Sequence, residues 1–182
     1  FKTKPDYIIE VGVAWSGSLL FYSSIFQAFQ GKKIIGIDTF IPKEIRKRIS
    51  NFPKLKDRIL LLEGKSTDKK IIRKIRDIIK NSKKVFVHLD SDHSHSNVLD
   101  ELKIYSKFIS KNNYLLCGDT HVELFDKNPH GKNKNYSKGD NPLTALNEFL
   151  SSNEGKKFKK DSQFEDKYFL TLNPMGYLKK YR

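Results

Sequence analysis

Cysteine, methionine and tryptophan are nearly missing from this sequence of 182 residues, which has one of each. Because Cys117 has no second cysteine to pair with, an intrachain disulfide bond and a cysteine-rich zinc site are both excluded. Long apolar runs are also missing, so no membrane span is predicted, and no secretory signal pattern opens the chain. Together these absences favour a reducing, cytoplasmic setting.

The chain also lacks an initial methionine. We therefore expect that Phe1 is not the natural start and that an N-terminal segment precedes this numbering. With 37% hydrophobic residues, the chain is large enough for one domain over residues 1–182 with a substantial core. No internal repeat or second domain is indicated.

Acidic residues are few relative to basic ones, and the formal net charge is +14. Such a charge would be compatible with nucleic-acid binding. The excess is mostly lysine spread along the whole chain, and no arginine-rich arm or aromatic RNA-binding motif accompanies it. We therefore expect no nucleic-acid partner, because net charge by itself affects solubility and nonspecific binding first.

Short apolar runs alternate with longer amphipathic segments up to Cys117. Continuous apolar strands separated by helices predict a doubly wound, mostly parallel sheet with helices on both faces, which is a Rossmann-like α/β fold. The predicted strands of this part cover residues 7–11, 33–37, 59–63, 85–89 and 114–117. The predicted helices cover residues 18–30, 43–51, 68–80, 97–109 and 142–151.

The alternation stops after the fifth strand. Residues 121–141 are polar and rich in lysine, asparagine and glycine, which is typical of a substrate lid or a disordered loop. Residues 158–160 and 167–173 are predicted to close the sheet as an antiparallel pair.

The stretch IIEVGVAWSGSLLF joins the first strand to the first helix. Glycine lets the backbone approach a ligand closely, and a helix N-terminus favours carboxylate or phosphate groups. The spacing differs from GxGxxG, and an acidic residue before a looser glycine turn is more typical of S-adenosylmethionine sites. A tight turn without a ligand is the alternative. The candidate cofactor-binding residues here are Glu10, Gly12, Ala14, Gly17 and Ser18.

Two more strand ends carry candidate cofactor ligands, because ligands of doubly wound sheets bind at the carboxyl ends of the strands. Asp38 ends the second strand, where a carboxylate can accept hydrogen bonds from both ribose hydroxyls, although aspartate is also common in turns. Gly64, Lys65 and Ser66 follow the third strand, near where an adenine edge would lie. GKS resembles a phosphate loop without its preceding glycine, and Ser66 could equally cap the next helix.

Aspartates follow the next two strands. Asp90 comes after the fourth strand and Asp119 after the fifth. Because neighbouring parallel strands end close together, these carboxylates are predicted to share one Mg²⁺ ion, which prefers oxygen ligands. Asp92, in the same loop as Asp90, is a further candidate metal ligand. The alternative is that each aspartate only caps the helix after it.

Histidines lie near these aspartates in the sequence, so a zinc or non-haem iron site is an alternative to Mg²⁺. It is disfavoured because two of the histidines share one strand-to-helix loop and are not four residues apart on a helix. With Asp90 as the other catalytic residue, His93 is instead predicted to be the general base, because histidine titrates near neutrality. The histidines in question are His93, His95, His121 and His130.

In this order, the motifs resemble those of the cephalosporin hydroxylase / rhamnosyl O-methyltransferase family of class I S-adenosylmethionine-dependent methyltransferases. The resemblance covers nearly the whole chain, including NPMGYLKK, which a generic Rossmann fold does not require. The matching stretches are IIEVGVAWSGSLLFYSSIF, KKIIGIDTFI, ILLLEGKSTD, VHLDSDHSHSNVLDELKIYSKFIS, LLCGDTHVE, SKGDNPLTALNEFL and YFLTLNPMGYLKK.

The resemblance implies a seven-stranded methyltransferase sheet whose last strand is antiparallel. It implies that S-adenosylmethionine binds to the turn of residues 10–18, to Asp38 and to the turn of residues 64–66. It also implies that Mg²⁺ binds through Asp90 and Asp119.

Two positions of this chain differ from those of related methyltransferases. In the similar catechol O-methyltransferases, a lysine three residues after the first metal ligand is the base, and that position is His93 here. Some family members carry a further carboxylate just before the residue that matches Asp119, where this chain has Gly118. We expect water, Asp92 or His121 to fill that ligand place, or metal binding to be weak.

The expected function is transfer of a methyl group from S-adenosylmethionine to a hydroxyl of a sugar or related small metabolite. The lysines of residues 127–141 and Asn141 are expected to contact an acidic or phosphorylated acceptor. A metal-dependent hydroxylase or oxygenase is one alternative, and an S-adenosylmethionine-binding module without turnover is another. The sequence is compatible with a homo-oligomer.

Overall fold

One seven-stranded sheet runs through the protein, with the strand order β3-β2-β1-β4-β5-β7-β6. The five strands β1 to β5 are parallel, whereas β7 is antiparallel to both β5 and β6. The predicted fold is therefore confirmed. The strands are β1 Tyr7–Val11, β2 Lys33–Asp38, β3 Ile59–Glu63, β4 Val85–Leu89, β5 Tyr114–Cys117, β6 Phe158–Lys160 and β7 Tyr177–Lys180.

The computed structural model describes residues 3–80, 82, 84–131, 134–168 and 170–182. Residues 132 and 133 of the predicted lid lie outside the described residues, and so does Phe169 of the predicted strand 167–173. No described helix is long and apolar enough to cross a membrane. The helices are α1 Gly17–Phe29, α2 Lys43–Ser50, α3 Pro53–Lys56, α4 Lys69–Ile79, α5 His95–Tyr105, α6 Pro142–Ser151 and α7 Gln163–Tyr168.

Both faces of the sheet are covered by helices, which explains why the parallel strands are almost continuously apolar. Side chains of successive strand residues point to opposite faces. Accordingly, Ile9 and Ile35 lie in the core formed with α4, α5 and α6, whereas Ile8 and Ile34 lie in the core formed with α1 and α2. This layering leaves the carboxyl ends of the parallel strands as the open edge at which a ligand can bind.

The predicted final strand was wrong. Residues 167–173 do not form it, because α7 extends to Tyr168 and Leu170 and Leu172 are largely exposed. The strand is β7 instead, where Leu178 is fully buried opposite Leu115. The alternating apolar residues near 170 gave a strand pattern, but Leu178 is the residue that pairs with β5 and lies in the core.

Helix boundaries differ slightly from those predicted. Helix α5 begins at His95, two residues early, because the extended Ser94 precedes it, and a 3₁₀ turn over Ser106–Phe108 replaces its predicted last turn. The short helix α3 was not predicted, although Pro53 stands at its first position. These differences leave the loops at the open edge in the predicted order.

The buried thiol of Cys117 gives a test of the fold. Its Sγ lies 3.9 Å from the carbonyl oxygen of Pro142, and burial raises the pKa of the thiol, so that little thiolate forms at neutral pH. We expect a maleimide to label the native protein at least about a hundredfold more slowly than the urea-unfolded protein. Timed samples read by mass spectrometry measure both rates, and equal rates would contradict this packing.

Candidate active site

A cavity of about 560 Å³ opens at the carboxyl ends of β1, β2, β3 and β4. Its volume lies within the roughly 300–1,000 Å³ of small-molecule sites. It therefore has room for a nucleoside-sized cofactor at the place where doubly wound sheets bind one. The predicted site residues that line it are Gly12, Ala14, Asp38, Gly64, Lys65, Ser66, Asp90 and Asp92.

The β1–α1 turn lies directly against the loop after β4. Gly12 has a φ of 95°, and a Cβ there would lie 1.9 Å from the carbonyl oxygen of Asp90. Only glycine therefore permits this approach. Asp38 fixes the turn from β2, because its Oδ2 accepts hydrogen bonds from the backbone N–H groups of Val13 at 2.9 Å and Ala14 at 3.4 Å.

Three predicted cofactor ligands do not line the cavity. Glu10 is buried on the α1 side of the sheet, with its Oε1 3.2 Å from Nδ1 of His88. The hydroxyl of Tyr22 lies 3.1 Å from the same nitrogen. Gly17 and Ser18 form the start of α1 and are also outside the lining. For Glu10 the cause is strand alternation, which points its side chain to the face of Ile8.

A buried carboxyl group that the sequence did not reveal, that of Glu101, also lines the cavity. Oε1 of Glu101 accepts hydrogen bonds from the hydroxyls of Ser66 at 2.6 Å and Ser91 at 2.8 Å. Burial raises the pKa of Glu101 despite these bonds. The available signal was its position on α5, because it shares the buried face of Val98 and Tyr105.

His93 joins the two predicted metal ligands. Its Nε2 lies 3.2 Å from Oδ1 of Asp90 and 3.2 Å from Oδ2 of Asp119. Burial lowers the pKa of His93, but hydrogen bonds to Asp119 and Asp90 outweigh it and raise the pKa to about 9. His93 is therefore protonated at neutral pH in this arrangement and shares one N–H between two carboxylates.

Two more histidines lie close to the carboxylate of Asp119. His121 Nδ1 lies 3.7 Å from Oδ1 of Asp119, and His130 Nε2 lies 3.6 Å from Oδ2. His95 does not join this group, because its Nδ1 lies 2.8 Å from Oγ1 of Thr144 and its Nε2 lies 3.0 Å from Oε2 of Glu148. Asp119 is thus the centre of the cluster.

Asp92 stands apart from this cluster, so the structure does not support it as a metal ligand. Its carboxylate accepts hydrogen bonds from the backbone N–H of Ser94 at 2.8 Å and the amide of Asn135 at 3.1 Å. Burial raises the pKa of Asp92, but these bonds outweigh that effect and lower it. Its carboxylate supports the loops around the site.

The expected contact of Asn141 with an acceptor is wrong. Asn141 is fully buried, where its Oδ1 accepts a hydrogen bond from the backbone N–H of Leu143 at 2.9 Å and caps α6. Tyr136, which was not singled out, instead lies beside the site with its ring 5.0 Å from that of His93. An aromatic residue inside a lysine- and asparagine-rich stretch was the available signal.

Gly118 has a steric reason to be glycine. A Cβ there would lie 2.8 Å from the carbonyl oxygen of Leu89 and 2.9 Å from Oδ1 of Asp90. A carboxylate side chain at this position would therefore displace Asp90 from its present place. The absence of a carboxylate ligand at position 118 therefore allows Asp90 to keep its present position.

The remaining donors fit a divalent cation. Asp90, His93 and Asp119 offer ligand atoms that all lie within 4.8 Å of one another, and so do Asp119, His121 and His130. Carboxylate and imidazole groups are common metal ligands. The raised pKa of His93 has its cause in the same two carboxylates, which favour a positive charge between them.

Replacing Gly118 tests this packing. We expect Gly118→Ala to lower the free energy of unfolding by roughly 1–3 kcal/mol, because the added methyl group would overlap Leu89 and Asp90. Gly17→Ala is the control, since a Cβ there meets nothing within 4 Å. Urea denaturation measures both, and an unchanged midpoint for Gly118→Ala would contradict the close approach.

Comparisons with known sequences point to one family. A model described as Rhamnosyl O-methyltransferase/CmcI matches residues 1–181. The rhamnosyl O-methyltransferase of Mycobacterium tuberculosis (strain ATCC 25618 / H37Rv) is 29% identical over 180 residues, covering 97% of this chain and 68% of that protein. That of Mycobacterium leprae (strain TN) is 28% identical over 180 residues, covering 97% of this chain and 72% of that protein.

Solved structures agree on the fold. The MycE methyltransferase of the mycinamycin biosynthetic pathway, in complex with Mg and SAH, is similar with a TM-score of 0.61 at 14% identity. Its complex with Mg, SAH and mycinamycin VI gives 0.60 at 15%. The match covers 97% of this chain but only 45% and 44% of the two MycE chains, so this chain spans less than half of MycE.

Proposed function

The chain belongs to the rhamnosyl O-methyltransferase/CmcI family of S-adenosylmethionine-dependent O-methyltransferases, as its motifs predicted, and on that premise we propose that it methylates a sugar hydroxyl. The names of the mycobacterial relatives support a rhamnose-containing acceptor. The acceptor is then a small molecule, and the reaction forms a methyl ether and releases S-adenosylhomocysteine and a proton.

One observation carries this proposal. Asp90 lines the cofactor cavity, and its Oδ1 also lies 3.2 Å from Nε2 of His93. A methyl donor in the cavity and a base at His93 would therefore stand on two sides of the same residue. Methyl transfer is largely a matter of such alignment, since it requires the attacking oxygen in line with the methyl group.

The residues that line the cavity would bind and orient the cofactor. Asp38 presents its carboxylate at the end of β2, where it can accept hydrogen bonds from ribose hydroxyls. Gly12 lets the backbone of the β1–α1 turn approach the ligand. Ser66 and Glu101 also line the cavity and would offer polar groups to the adenine edge. S-adenosylmethionine, when bound, supplies the methyl group.

The residues around His93 would accept the proton of the acceptor hydroxyl. His93 is the proposed base and would take the hydroxyl proton at Nε2, after which Asp90 and Asp119 stabilise the imidazolium through the contacts seen here. Asp90 and Asp119 would hold a divalent cation such as Mg²⁺, whose charge would lower the pKa of the acceptor hydroxyl and favour the neutral form of His93, the form that can take up the proton. The MycE structures contain Mg.

The segment of residues 121–141 is proposed to cover the acceptor. His121 and His130, which belong to its described residues 121–131 and 134–141, lie close to Asp119. Asn135 donates a hydrogen bond to Asp92, and Tyr136 packs against His93. Aromatic and amide groups at this place suit the apolar and hydroxyl-bearing faces of a sugar ring.

Cofactor binding is the first test. We expect S-adenosylmethionine and S-adenosylhomocysteine to bind in isothermal titration, and Asp38→Asn to weaken binding at least about tenfold through weaker ribose hydrogen bonds. Asp57→Asn is the matched control, because Asp57 is exposed and does not line the cavity. No binding by the folded protein would refute the methyltransferase proposal.

The base is tested separately. We expect His93→Ala to leave S-adenosylmethionine affinity within about threefold while lowering methyl transfer to a rhamnoside roughly 10²–10⁴-fold, the usual contribution of a general base. His95→Gln is the control, since His95 contacts Thr144 and Glu148 and not the cluster. Radiolabelled methyl transfer measures turnover, and unchanged turnover in His93→Ala would rule out this role.

A further inference from the structure

Three imidazole rings lie close to the carboxylate of Asp119. Nε2 of His93 and Nε2 of His130 lie 3.2 and 3.6 Å from Oδ2, whereas Nδ1 of His121 lies 3.7 Å from Oδ1. The rings of His121 and His130 are 5.3 Å apart, centre to centre. Asp119, His121 and His130 each offer one ligand atom, and these atoms all lie within 4.8 Å of one another.

Both rings are held by partners outside the cluster. Nδ1 of His121 lies 2.8 Å from the carbonyl oxygen of Leu172, which can only accept, so Nδ1 carries the proton and Nε2 is the nitrogen left for a metal ion. Nδ1 of His130 lies 2.8 Å from the hydroxyl of Tyr136. Metal-binding histidines characteristically use one ring nitrogen for such an orienting hydrogen bond and the other for the metal.

The distances suit an ion of ordinary size. Metal bonds of about 2.0–2.2 Å to nitrogen and carboxylate oxygen place neighbouring donors about 3–4.4 Å apart. His130 Nε2 lies 3.6 Å from Oδ2 of Asp119, so only small side-chain movements would complete the bonds. Asp119 and His121 are mostly buried, which limits competing water.

We propose that Asp119, His121 and His130 form a binding site for a divalent transition-metal ion of the Zn²⁺, Fe²⁺ or Co²⁺ class. Two histidines and one carboxylate are the donor set that such ions take while keeping positions open for other ligands. Mg²⁺ prefers six oxygen ligands in a near-octahedral arrangement. The inference builds on the divalent-cation part of the proposed function and does not depend on methyl transfer.

The residue at position 118 supports this choice of ion. A carboxylate there cannot be accommodated beside Asp90 in the present arrangement, so the chain offers one oxygen ligand fewer at the Asp90–Asp119 pair. The two further ligand atoms near Asp119, from His121 and His130, are nitrogens. The donor set is therefore shifted from oxygen to nitrogen, which favours transition-metal ions over Mg²⁺.

The experiment uses tag-free, chelator-treated full chain titrated with Co²⁺ in a large excess of Mg²⁺. Visible absorption reports nitrogen ligation of Co²⁺, and competition with Zn²⁺ gives its affinity. We expect one equivalent of Co²⁺ to bind despite Mg²⁺, and His130→Gln and His121→Gln each to weaken binding at least about tenfold. His95→Gln, a histidine outside the cluster, should bind within about twofold of the unchanged chain.

Several results would overturn the inference. The first is displacement of Co²⁺ by excess Mg²⁺, and the second is an unchanged Co²⁺ affinity in His130→Gln. The third is a Co²⁺ affinity that falls in Asp90→Asn but in neither histidine variant, which would assign the ion to the Asp90–Asp119 pair. Circular dichroism checks folding, and the partly exposed His130 provides a variant if His121→Gln unfolds.

Titration of the same samples with S-adenosylmethionine separates the two proposals. Cofactor binding without Co²⁺ or Zn²⁺ binding would reject this metal site and leave the methyltransferase proposal in place. Metal binding without cofactor binding would reject the proposed function and support the metal site.

Discussion

The parallel pairing of β4 and β5 is the constraint on which the site depends. Its register places Leu89 beside Cys117, and the backbone N–H of Gly118 donates to the carbonyl oxygen of Leu89 at 2.8 Å. The first residue after each strand is then Asp90 or Gly118, and these two meet directly. Asp119 comes one residue later, in a left-handed backbone conformation that turns its carboxylate back towards His93. The absence of a side chain at Gly118 thus allows Asp90 to keep its present position beside Asp119.

Much of this arrangement could be predicted from the sequence, because strand ends carry it. Apolar runs located β1 to β5, and the sheet then brings the residues after them to one edge, which is why Asp38 and Asp90 were placed correctly. Glu101 and His130 could not be placed in the same way. Their positions depend on contacts across 35 residues to Ser66 and across an aperiodic loop to Asp119. The last strand was misplaced because a local alternating pattern does not show which leucine reaches the core.

The segment of residues 121–141 has two roles that cannot be separated. It contributes His121 and His130 to the cluster around Asp119, and it packs Tyr136 against His93. Asn141 ties its end to α6 through a buried cap. A loop that covers an acceptor would, in this protein, also carry donors of the metal site beneath it. Ordering of the loop and completion of the site would then be one event, in which each stabilises the other.

Residues near the C-terminus accept hydrogen bonds from the segment after β5. Asn173 accepts a hydrogen bond from the backbone N–H of Asp119, the carbonyl of Pro174 accepts one from Thr120, and that of Leu172 accepts one from His121. These partners lie about fifty positions downstream of the groups that they orient. During synthesis on the ribosome, the residues that line the cofactor cavity, which end at Glu101, are therefore made well before the partners that orient the segment after β5. The two halves of the site are separated in time as well as in sequence.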